Sequence, residues 1–215
     1  MARLPIAVLI SGRGSNLQAL IDACAAPDFA ARIVLVAANN ADAFGLERAR
    51  QAGIATAIVD HRGRSREAFE AALDQVLRQA GVELICLAGF MRLLTAGFVT
   101  RWADRILNIH PSLLPAFKGL HVHEQAIAAG VRFSGCTVHV VRPEMDAGPI
   151  IAQAAVPVLP EDTPETLAER VLAAEHRLYP LALKLIAEGR AMVEGERVRL
   201  AGAPAPASFL TNPLA

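Results

Sequence analysis

The sequence predicts an α/β fold: a Rossmann-like open, mostly parallel sheet with helices on both faces. Short apolar runs rich in β-branched residues alternate with longer segments whose apolar residues repeat at the helical period. The short runs show no polar alternation, which is typical of strands buried on both faces of a parallel sheet. At 215 residues, with 53% hydrophobic and 20% charged residues, the chain can bury a large core and is not globally disordered.

Strands and helices alternate regularly over the first half of the chain. The predicted strands cover residues 6–10, 33–38, 54–59, 84–88 and 106–109. The predicted helices cover residues 16–26, 43–52, 65–80 and 95–102. Gly53 and Gly81 stand directly after two of these helices, where a glycine commonly ends a helix. Strand–helix–strand alternation of this kind makes neighbouring strands parallel.

The pattern changes after Pro111, where a proline-interrupted loop leads to a predicted helix at 121–129. Strands at 136–141 and 150–158 are joined by a turn, so we expect the last strands of the sheet to be partly antiparallel. Thr163 and Pro164 are typical of an N-cap and a first helical position, and they begin a long helix that ends near Gly189. Runs at 190–193 and 197–200 predict a small C-terminal hairpin. We therefore expect one domain at 1–200 and an Ala/Pro-rich tail at 201–215.

Composition narrows the classes of function. No apolar run approaches the roughly 20 residues that a membrane span needs, and no cleavage-site pattern follows the first strand, so we expect a cytoplasmic protein. The 21 basic and 21 acidic residues balance, which argues against nucleic acid held by bulk electrostatics. Three widely spaced cysteines form neither a disulfide framework nor a zinc motif, and we expect no metal.

A glycine-rich loop follows the first strand and leads directly into a helix. Its sequence, residues 11–16, is Ser-Gly-Arg-Gly-Ser-Asn. Glycines let the backbone approach an anion, and free N–H groups at a helix start favour negative charge, so the loop could bind phosphate. A tight turn in which Ser15 caps the helix would explain the same residues. The loop lacks both the Walker ending and the third glycine of a dinucleotide fingerprint, so we expect no ATP.

Two polar residues end the fifth predicted strand. Asn108 and His110 are two positions apart, so their side chains leave the strand on the same face, and Pro111 follows them. An Asn amide can donate to a developing oxyanion, and a His can transfer a proton near neutral pH. Asp146 lies in a turn between two later strands, where ordinary turn chemistry would explain it. Only proximity to His110 would make Asp146 a catalytic carboxylate.

Three further groups of residues each allow two interpretations. The arginines at 62, 64 and 66 form either a solvated loop or an arm that contacts an anion. Residues 90–94 either enter a helix beside the core or form an apolar slot for a flat heterocycle. His139 is either an exposed strand residue or a supporting partner of the polar pair.

Taken together, these segments resemble the folate-dependent phosphoribosylglycinamide formyltransferases. The resemblance lies in residues 11–17 (SGRGSNL), 40–49 (NADAFGLERA), 87–92 (LAGFMR), 107–115 (LNIHPSLLP), 119–123 (GLHVH) and 175–180 (EHRLYP). It implies transfer of a formyl group from 10-formyltetrahydrofolate to the amine of 5′-phosphoribosylglycinamide in de novo purine biosynthesis, by direct attack through a tetrahedral intermediate. The N-terminal half would bind the ribonucleotide, and the C-terminal half would bind the folate.

The resemblance also implies a role for individual residues. The catalytic residues would be Asn108, His110 and Asp146. The ribonucleotide would be bound by Gly14, Ser15, Asn16 and Glu175. The folate would be bound by Arg66, Met91, Arg92, Leu93, Leu94, Asn108, Arg142, Glu144, Met145 and Asp146. The cosubstrate is 10-formyltetrahydrofolate, with neither metal nor ATP, and both substrates are small molecules bound by a monomer or a homodimer.

Three alternatives are open at this point. A methionyl-tRNA formyltransferase is expected to carry a further C-terminal domain and a more basic surface. A formyltetrahydrofolate hydrolase is expected to carry an N-terminal regulatory domain and has no need of a phosphate loop. A nucleotide-binding module without catalysis would not need Asn108 and His110 side by side at a strand end. Neither the isomer of the Leu114–Pro115 bond nor the mobility of the loop at 142–148 follows from the sequence.

Overall fold

Seven strands form one sheet, and two further strands form a hairpin beside it. The computed structural model describes residues 2–202 and Asn212, so most of the tail expected at 201–215 lies outside the described residues. The strands are β1 (Leu4–Ile10), β2 (Ala31–Ala38), β3 (Thr56–Ile58), β4 (Leu84–Leu87), β5 (Ile106–His110), β6 (Phe133–Val140), β7 (Ile150–Pro157), β8 (Ala191–Glu194) and β9 (Arg197–Leu200). The helices are α1 (Ser15–Ala25), α2 (Gly45–Gln51), α3 (Arg66–Gln79), α4 (Ala96–Arg101), α5 (Val122–Ala128) and α6 (Pro164–Ala187).

The strand order in the sheet is β3-β2-β1-β4-β5-β6-β7. The first five strands are parallel to one another, whereas β6 is antiparallel to both β5 and β7. The antiparallel pair β8–β9 is the predicted C-terminal hairpin. The predicted fold class is therefore confirmed. The chain order changes direction between β1 and β4, and in open sheets ligands bind beyond the carboxyl ends of the strands at such a point.

Side chains on the two faces of the central strands pack into two separate cores. Along β1, Ile6, Val8 and Ile10 belong to one core, and Ala7 and Leu9 belong to the other. All five are fully buried, as the continuous apolar run predicts for a strand covered on both sides. The first core packs against α1 and α6, and the second packs against α3 and α4.

Helix α2 and strand β3 are both shorter than predicted, and the way the helix ends delays the start of β3. The Ile54 N–H donates to the Ala49 carbonyl (2.9 Å), and Gly53 is left-handed (φ 69°). This hydrogen bond closes the end of α2 and takes residues 53–54 out of the strand. As an edge strand, β3 then pairs with β2 at only three positions.

Helix α6 passes beneath the carboxyl ends of the central strands. Its N-terminus is as predicted: the Thr163 hydroxyl accepts from the Thr166 N–H (3.3 Å), and Pro164 is in the first turn. Further along, the buried Tyr179 hydroxyl lies 3.0 Å from the Leu87 carbonyl and 3.2 Å from the Leu107 carbonyl. The helix is thereby fixed to the end of β4 and to the residue of β5 that precedes Asn108. Within the described residues, no helix has both the length and the apolarity to cross a membrane.

Candidate active site

His110 and Asp146 come together at the carboxyl end of β5. The His110 ring is buried, and its Nδ1 lies 3.4 Å from Asp146 Oδ1, an ion-pair distance. Its Nε2 lies 2.9 Å from the Phe117 carbonyl oxygen. Both ring nitrogens therefore face oxygens, and the ring can donate to both only as the imidazolium cation. The arrangement suits a positive charge on His110 balanced by the Asp146 carboxylate.

The loop between β6 and β7 carries Asp146 over the end of β5. Asp146 is in the left-handed region (φ 48°), which Asp tolerates better than most residues. Its second carboxylate oxygen accepts from the Gly119 N–H (2.7 Å). Asp146 is therefore fixed from two sides, by His110 and by the segment that follows the Leu114–Pro115 peptide bond, which is cis.

Asn108 is oriented by His139 on the neighbouring strand. The antiparallel register of β5 and β6 places the two residues opposite each other, with Asn108 Nδ2 3.2 Å from His139 Nε2. His139 Nδ1 lies 3.1 Å from the Ala147 carbonyl and 3.2 Å from the Val140 carbonyl, so Nδ1 carries the proton. His139 Nε2 must then accept from the Asn108 amide. Burial lowers the pKa of His139, which favours this neutral form.

This pairing supports the second interpretation of His139, as a partner of the polar pair. The sequence contained one signal for it, a single histidine in a strand that has no charged residue. Asn108 Nδ2 carries two hydrogens, and the one not given to His139 is free for a ligand. Asn108, His110, His139 and Asp146 all line one cavity of about 690 Å³.

The cavity has an apolar mouth, which supports the second interpretation of residues 90–94, an apolar slot. Met91, Leu93, Leu120 and Met145 are all exposed at its edge, with Met91 and Leu120 more than 70% exposed. Exposed apolar side chains around a concave site with a few polar groups at its base are typical of a small-molecule pocket. The dimensions and lining suit a flat heterocyclic ligand.

The predicted folate-binding residues line this cavity with one exception. Those that line it are Met91, Arg92, Leu93, Leu94, Asn108, Arg142, Glu144, Met145 and Asp146. Arg66 begins α3 as an exposed residue outside the lining, and Arg62 pairs with Asp60 (2.8 Å), which favours a solvated loop for Arg62. The Arg92 guanidinium lies 4.9 Å from the centre of the Phe69 ring, a cation–π distance.

Arg142 borders the cavity, but its guanidinium contacts other elements. Its Nη1 lies 2.8 Å from Asp104 in the turn after α4, and its Nε lies 3.0 Å from Glu196 in the β8–β9 turn. Its Nη2 donates to the Gly195 carbonyl (3.0 Å). These contacts between distant parts of the chain were not foreseeable from the residues themselves.

The glycine-rich loop is shaped by a close approach of two backbones. Gly14 is the left-handed N-cap of α1 (φ 72°), and a Cβ there would lie 2.8 Å from the Gly45 Cα. Only glycine fits this position. Ser15 begins the helix and makes no capping hydrogen bond, so of the two interpretations of the loop the one with a Ser15 cap is not supported. Without a side-chain cap, the N–H groups of the first turn stay available to an anion.

Asn16 and Glu175 connect the loop to α6. Asn16 Nδ2 donates to Glu175 Oε2 (2.7 Å), and both residues are more than 90% buried. Burial raises the pKa of Glu175 to about 7, although the Asn16 hydrogen bond acts in the opposite direction. Residues 14–16 and 175, which are predicted to bind the ribonucleotide, are thus adjacent to one another. None of them lines the large cavity.

Ser11 joins the glycine-rich loop to the wall of the cavity. Its hydroxyl accepts from the Met91 N–H (2.8 Å), and its own N–H donates to the Gly89 carbonyl (3.1 Å). No separate role for Ser11 was predicted from the sequence. The one available signal was its position directly after the first strand, which in the structure pairs with β4.

No group of three or more His, Cys, Asp or Glu side chains within the described part of the chain is arranged to hold a metal ion. His121 is the N-cap residue that precedes α5, and its Nδ1 lies 3.2 Å from Glu124 Oε1 in the first turn of that helix.

Comparison with known proteins identifies the family that the chain matches. The family model described as formyl transferase matches residues 4–183. The trifunctional purine biosynthetic protein adenosine-3 of Gallus gallus is 55% identical over 192 residues, which are 89% of this chain but only 19% of that protein. Phosphoribosylglycinamide formyltransferase of Escherichia coli is 47% identical over 201 residues, covering 90% of this chain and 95% of the relative. The structure of glycinamide ribonucleotide transformylase 1 from Symbiobacterium toebii has a TM-score of 0.89 and 53% identity, covering 92% and 94% of the two chains.

Proposed function

Because the chain belongs to the formyl transferase family, we propose that it transfers the formyl group of 10-formyltetrahydrofolate to the amine of 5′-phosphoribosylglycinamide, a step of de novo purine biosynthesis. The observation that carries the proposal is the meeting of Asn108, His110 and Asp146 at the base of an apolar-mouthed cavity. The wall of that cavity is hydrogen-bonded, through the Ser11 hydroxyl, to the glycine-rich loop, whose helix-start N–H groups suit an anion. The proposed enzyme is cytoplasmic, takes two small-molecule substrates and acts as a monomer or homodimer.

The proposed reaction is a direct transfer between the two substrates. The amine nitrogen attacks the formyl carbon and forms a new C–N bond, which gives a tetrahedral intermediate with a negative oxygen. The bond from that carbon to N10 of the folate then breaks, and its electron pair goes to N10. The amine loses one proton and N10 gains one. Placing the two reactants together in the correct orientation is itself a large part of the catalysis.

Three side chains have distinct tasks in this reaction. The free N–H of the Asn108 amide donates to the negative oxygen, and His139 keeps that amide in the required orientation. The His110 imidazolium stabilises the same oxygen through its charge or supplies it with a proton. Asp146 balances that charge and relays the proton from the amine, through water, towards N10.

The ribonucleotide is proposed to bind along α1 and α6. The first turn of α1, with Gly14, Ser15 and Asn16, would hold the phosphate through backbone N–H groups and the Ser15 hydroxyl. The Glu175 carboxylate would accept from the ribose hydroxyls, because one of its oxygens is not used by Asn16. The amine would then point towards Asn108.

The folate is proposed to bind in the 690 Å³ cavity. Met91, Leu93, Leu94 and Met145 supply apolar walls, and Arg92 and Glu144 supply charge at its border. Arg66 is proposed to contact the folate from outside the cavity lining, at the start of α3. The polar base of the cavity brings N10 of the folate to the catalytic residues.

An assay of tetrahydrofolate release tests the proposal and separates its alternatives. Purified protein is mixed with 10-formyltetrahydrofolate, with and without 5′-phosphoribosylglycinamide. We expect release only in the presence of the ribonucleotide. Equal release without it would favour a formyltetrahydrofolate hydrolase, and release that requires methionyl-tRNA would favour the tRNA enzyme. Ribonucleotide binding without any release would favour a binding module.

Glu175→Gln is expected to raise the KM for the ribonucleotide while changing kcat little. A hydrogen bond to a charged acceptor contributes about 1.5–3 kcal/mol, roughly tenfold to a hundredfold in binding. Because burial raises the pKa of Glu175 to about 7, the carboxylate is lost as the pH falls below 7. We therefore expect the KM of the unmodified protein to rise between pH 8 and pH 6, and that of the variant to stay high and nearly constant.

The same substitution is expected to stabilise the fold at pH 8. The fold raises the pKa of Glu175 from 4.5 to about 7, so folding favours the protonated form. The contribution of Glu175 to the free energy of unfolding is therefore greatest below pH 4.5 and is lost as the pH rises through 7, about 3 kcal/mol in all. Gln carries no charge and can still accept from Asn16, so its melting temperature should be higher at pH 8. Glu169→Gln, an exposed site on the same helix, is the control, and an equal effect there would contradict both expectations.

A further inference from the structure

The loop at 142–148 determines where the Asp146 carboxylate lies. It is closed at its neck by the antiparallel strands, where the Val140 N–H donates to the Pro149 carbonyl (2.9 Å). Residues 143–145 at its outer side are exposed. An exposed loop of this kind adopts one conformation only if specific contacts fix it. The contacts that the loop makes therefore decide the distance between Asp146 and His110.

Arg142 ties the first end of the loop to two other parts of the chain. Its guanidinium contacts Asp104 (2.8 Å) after α4 and both Glu196 (3.0 Å) and the Gly195 carbonyl (3.0 Å) in the hairpin turn. The Arg142 side chain is only 20% exposed. A planar guanidinium can meet three acceptors in fixed directions, which a lysine ammonium cannot do in the same way.

The stem of Arg142 also contacts the second end of the loop. A Cβ on Gly148 would lie 2.9 Å from the Arg142 Cγ and 2.1 Å from the Val140 carbonyl oxygen. Gly148 has a φ of 115°, which other residues rarely adopt. The Arg142 side chain therefore joins the two ends of the loop: its stem packs against Gly148, and its guanidinium is held by the hairpin.

The other contacts that fix the loop involve groups of the reaction itself. Asp146 contacts His110 and the Gly119 N–H, and the Ala147 carbonyl accepts from His139. Movement of charge and protons during the reaction changes these contacts, whereas the ion pairs of Arg142 lie outside it. A loop fixed only by its catalytic groups would lose its position when they change.

We propose that Arg142 is a positioning residue, which uses Glu196 of the hairpin and Asp104 to hold Asp146 at its working distance from His110. This goes beyond the folate contact that the family resemblance implies for Arg142. The catalytic consequence rests on the proposed function, whereas the anchoring of the loop can be measured without it. The C-terminal hairpin thereby becomes part of the catalytic apparatus although none of its residues lines the cavity.

Glu196→Ala is the sharpest test, because Glu196 is 72% exposed and outside the cavity lining. A displacement of about 1 Å at a reacting group can cost about a hundredfold in rate, and we expect this partial release to lower kcat about tenfold. The KM for the ribonucleotide should not change. Glu194→Ala is the matched control: Glu194 lies in the same hairpin and pairs with Arg199 (2.6 Å), so its removal should leave kcat unchanged.

Variants of Arg142 show whether Glu196 acts through it. Arg142→Met keeps the stem beneath Gly148 and removes the charge, and it should lower kcat at least as much as Glu196→Ala. The double variant should lose no more than Arg142→Met alone. Arg142→Lys should recover only part of the lost kcat, because an ammonium cannot contact Asp104, Glu196 and the Gly195 carbonyl in the directions that the planar guanidinium does. A purely structural role would lower the melting temperature and leave kcat in place.

Hydrogen exchange of the Gly119 amide, which donates to Asp146 Oδ2 (2.7 Å), measures the anchoring of the loop without any substrate. We expect faster exchange in Glu196→Ala than in the unmodified protein, and no change in Glu194→Ala. Unchanged exchange and kcat in Glu196→Ala, or equal effects of both variants, would overturn the proposal. If the unmodified protein transfers no formyl group, the proposed function fails, and the exchange data still decide whether Arg142 anchors the loop.

Discussion

Replacing Asn108 with alanine is expected to lower kcat about 10²–10³-fold, because its amide is the proposed donor to the negative oxygen of the tetrahedral intermediate. The effect should fall on kcat, since that oxygen becomes charged only as the reaction proceeds. Asn108 is only half-buried at a strand end, so the variant should remain folded. Tetrahydrofolate release measures kcat, and thermal unfolding confirms the fold.

Asn108→Asp separates the lost hydrogen bond from lost packing. Aspartate has nearly the same shape but places a negative charge where the amide donated, so it should be at least as damaging as alanine. His139 would also lose the donor that now lies 3.2 Å from its Nε2. Near-normal turnover in either variant would remove Asn108 from the proposed mechanism.

The second large effect is expected for His110→Ala. Loss of a general acid–base group costs about 10²–10⁴-fold in rate, and the His110 ring is the only basic side chain that contacts Asp146 in the described part of the chain. The alanine also removes the hydrogen bond to the Phe117 carbonyl, so thermal unfolding must accompany the measurement of kcat. A folded variant with kcat close to that of the unmodified protein would contradict the assignment.

Combining His110→Ala with Asp146→Ala tests whether the two residues act as a unit. Asp146 is proposed to balance the charge of His110, so most of its contribution disappears with the ring. We expect the double variant to lose little more than the worse single variant, as residues of one catalytic unit are strongly non-additive. Multiplicative losses would show that Asp146 works independently of His110.

The sequence was sufficient for the fold and for placing two of the three proposed catalytic residues side by side. Continuous apolar strands and amphipathic helices specify a sheet buried on both faces, and this information is local. Asn108 and His110 could be paired because the alternation of a strand places them on one face. Their likeness to family motifs then supplied roles that strand geometry alone does not give.

Asp146 could not be placed from its own neighbourhood. Its approach to His110 depends on the antiparallel register of β6 and β7 and on a left-handed backbone at Asp146 itself. The orientation of Asn108 by His139 likewise depends on the register between β5 and β6. Contacts across more than 30 positions of the chain are set by tertiary packing, which local patterns do not contain.

The alternative in which Ser15 caps α1 fails for a related reason. A serine at a strand-to-helix turn is an ordinary N-cap. Here the left-handed Gly14 takes that place, because the loop backbone must pass directly over Gly45 at the start of α2. The neighbour that decides this lies 31 positions further on, in a segment whose own pattern indicates only a helix.

The contact between Gly14 and Gly45 also limits how the protein could be re-engineered. A methyl group on Gly14 would meet the Gly45 Cα at 2.8 Å, and one on Gly45 would meet the Ile10 Cδ1 at 2.6 Å. In a directed-evolution library aimed at other phosphorylated acceptors, substitutions at these two glycines would therefore yield few folded variants. New acceptor scope would have to come from the neighbouring positions that carry side chains, while the two glycines stay invariant.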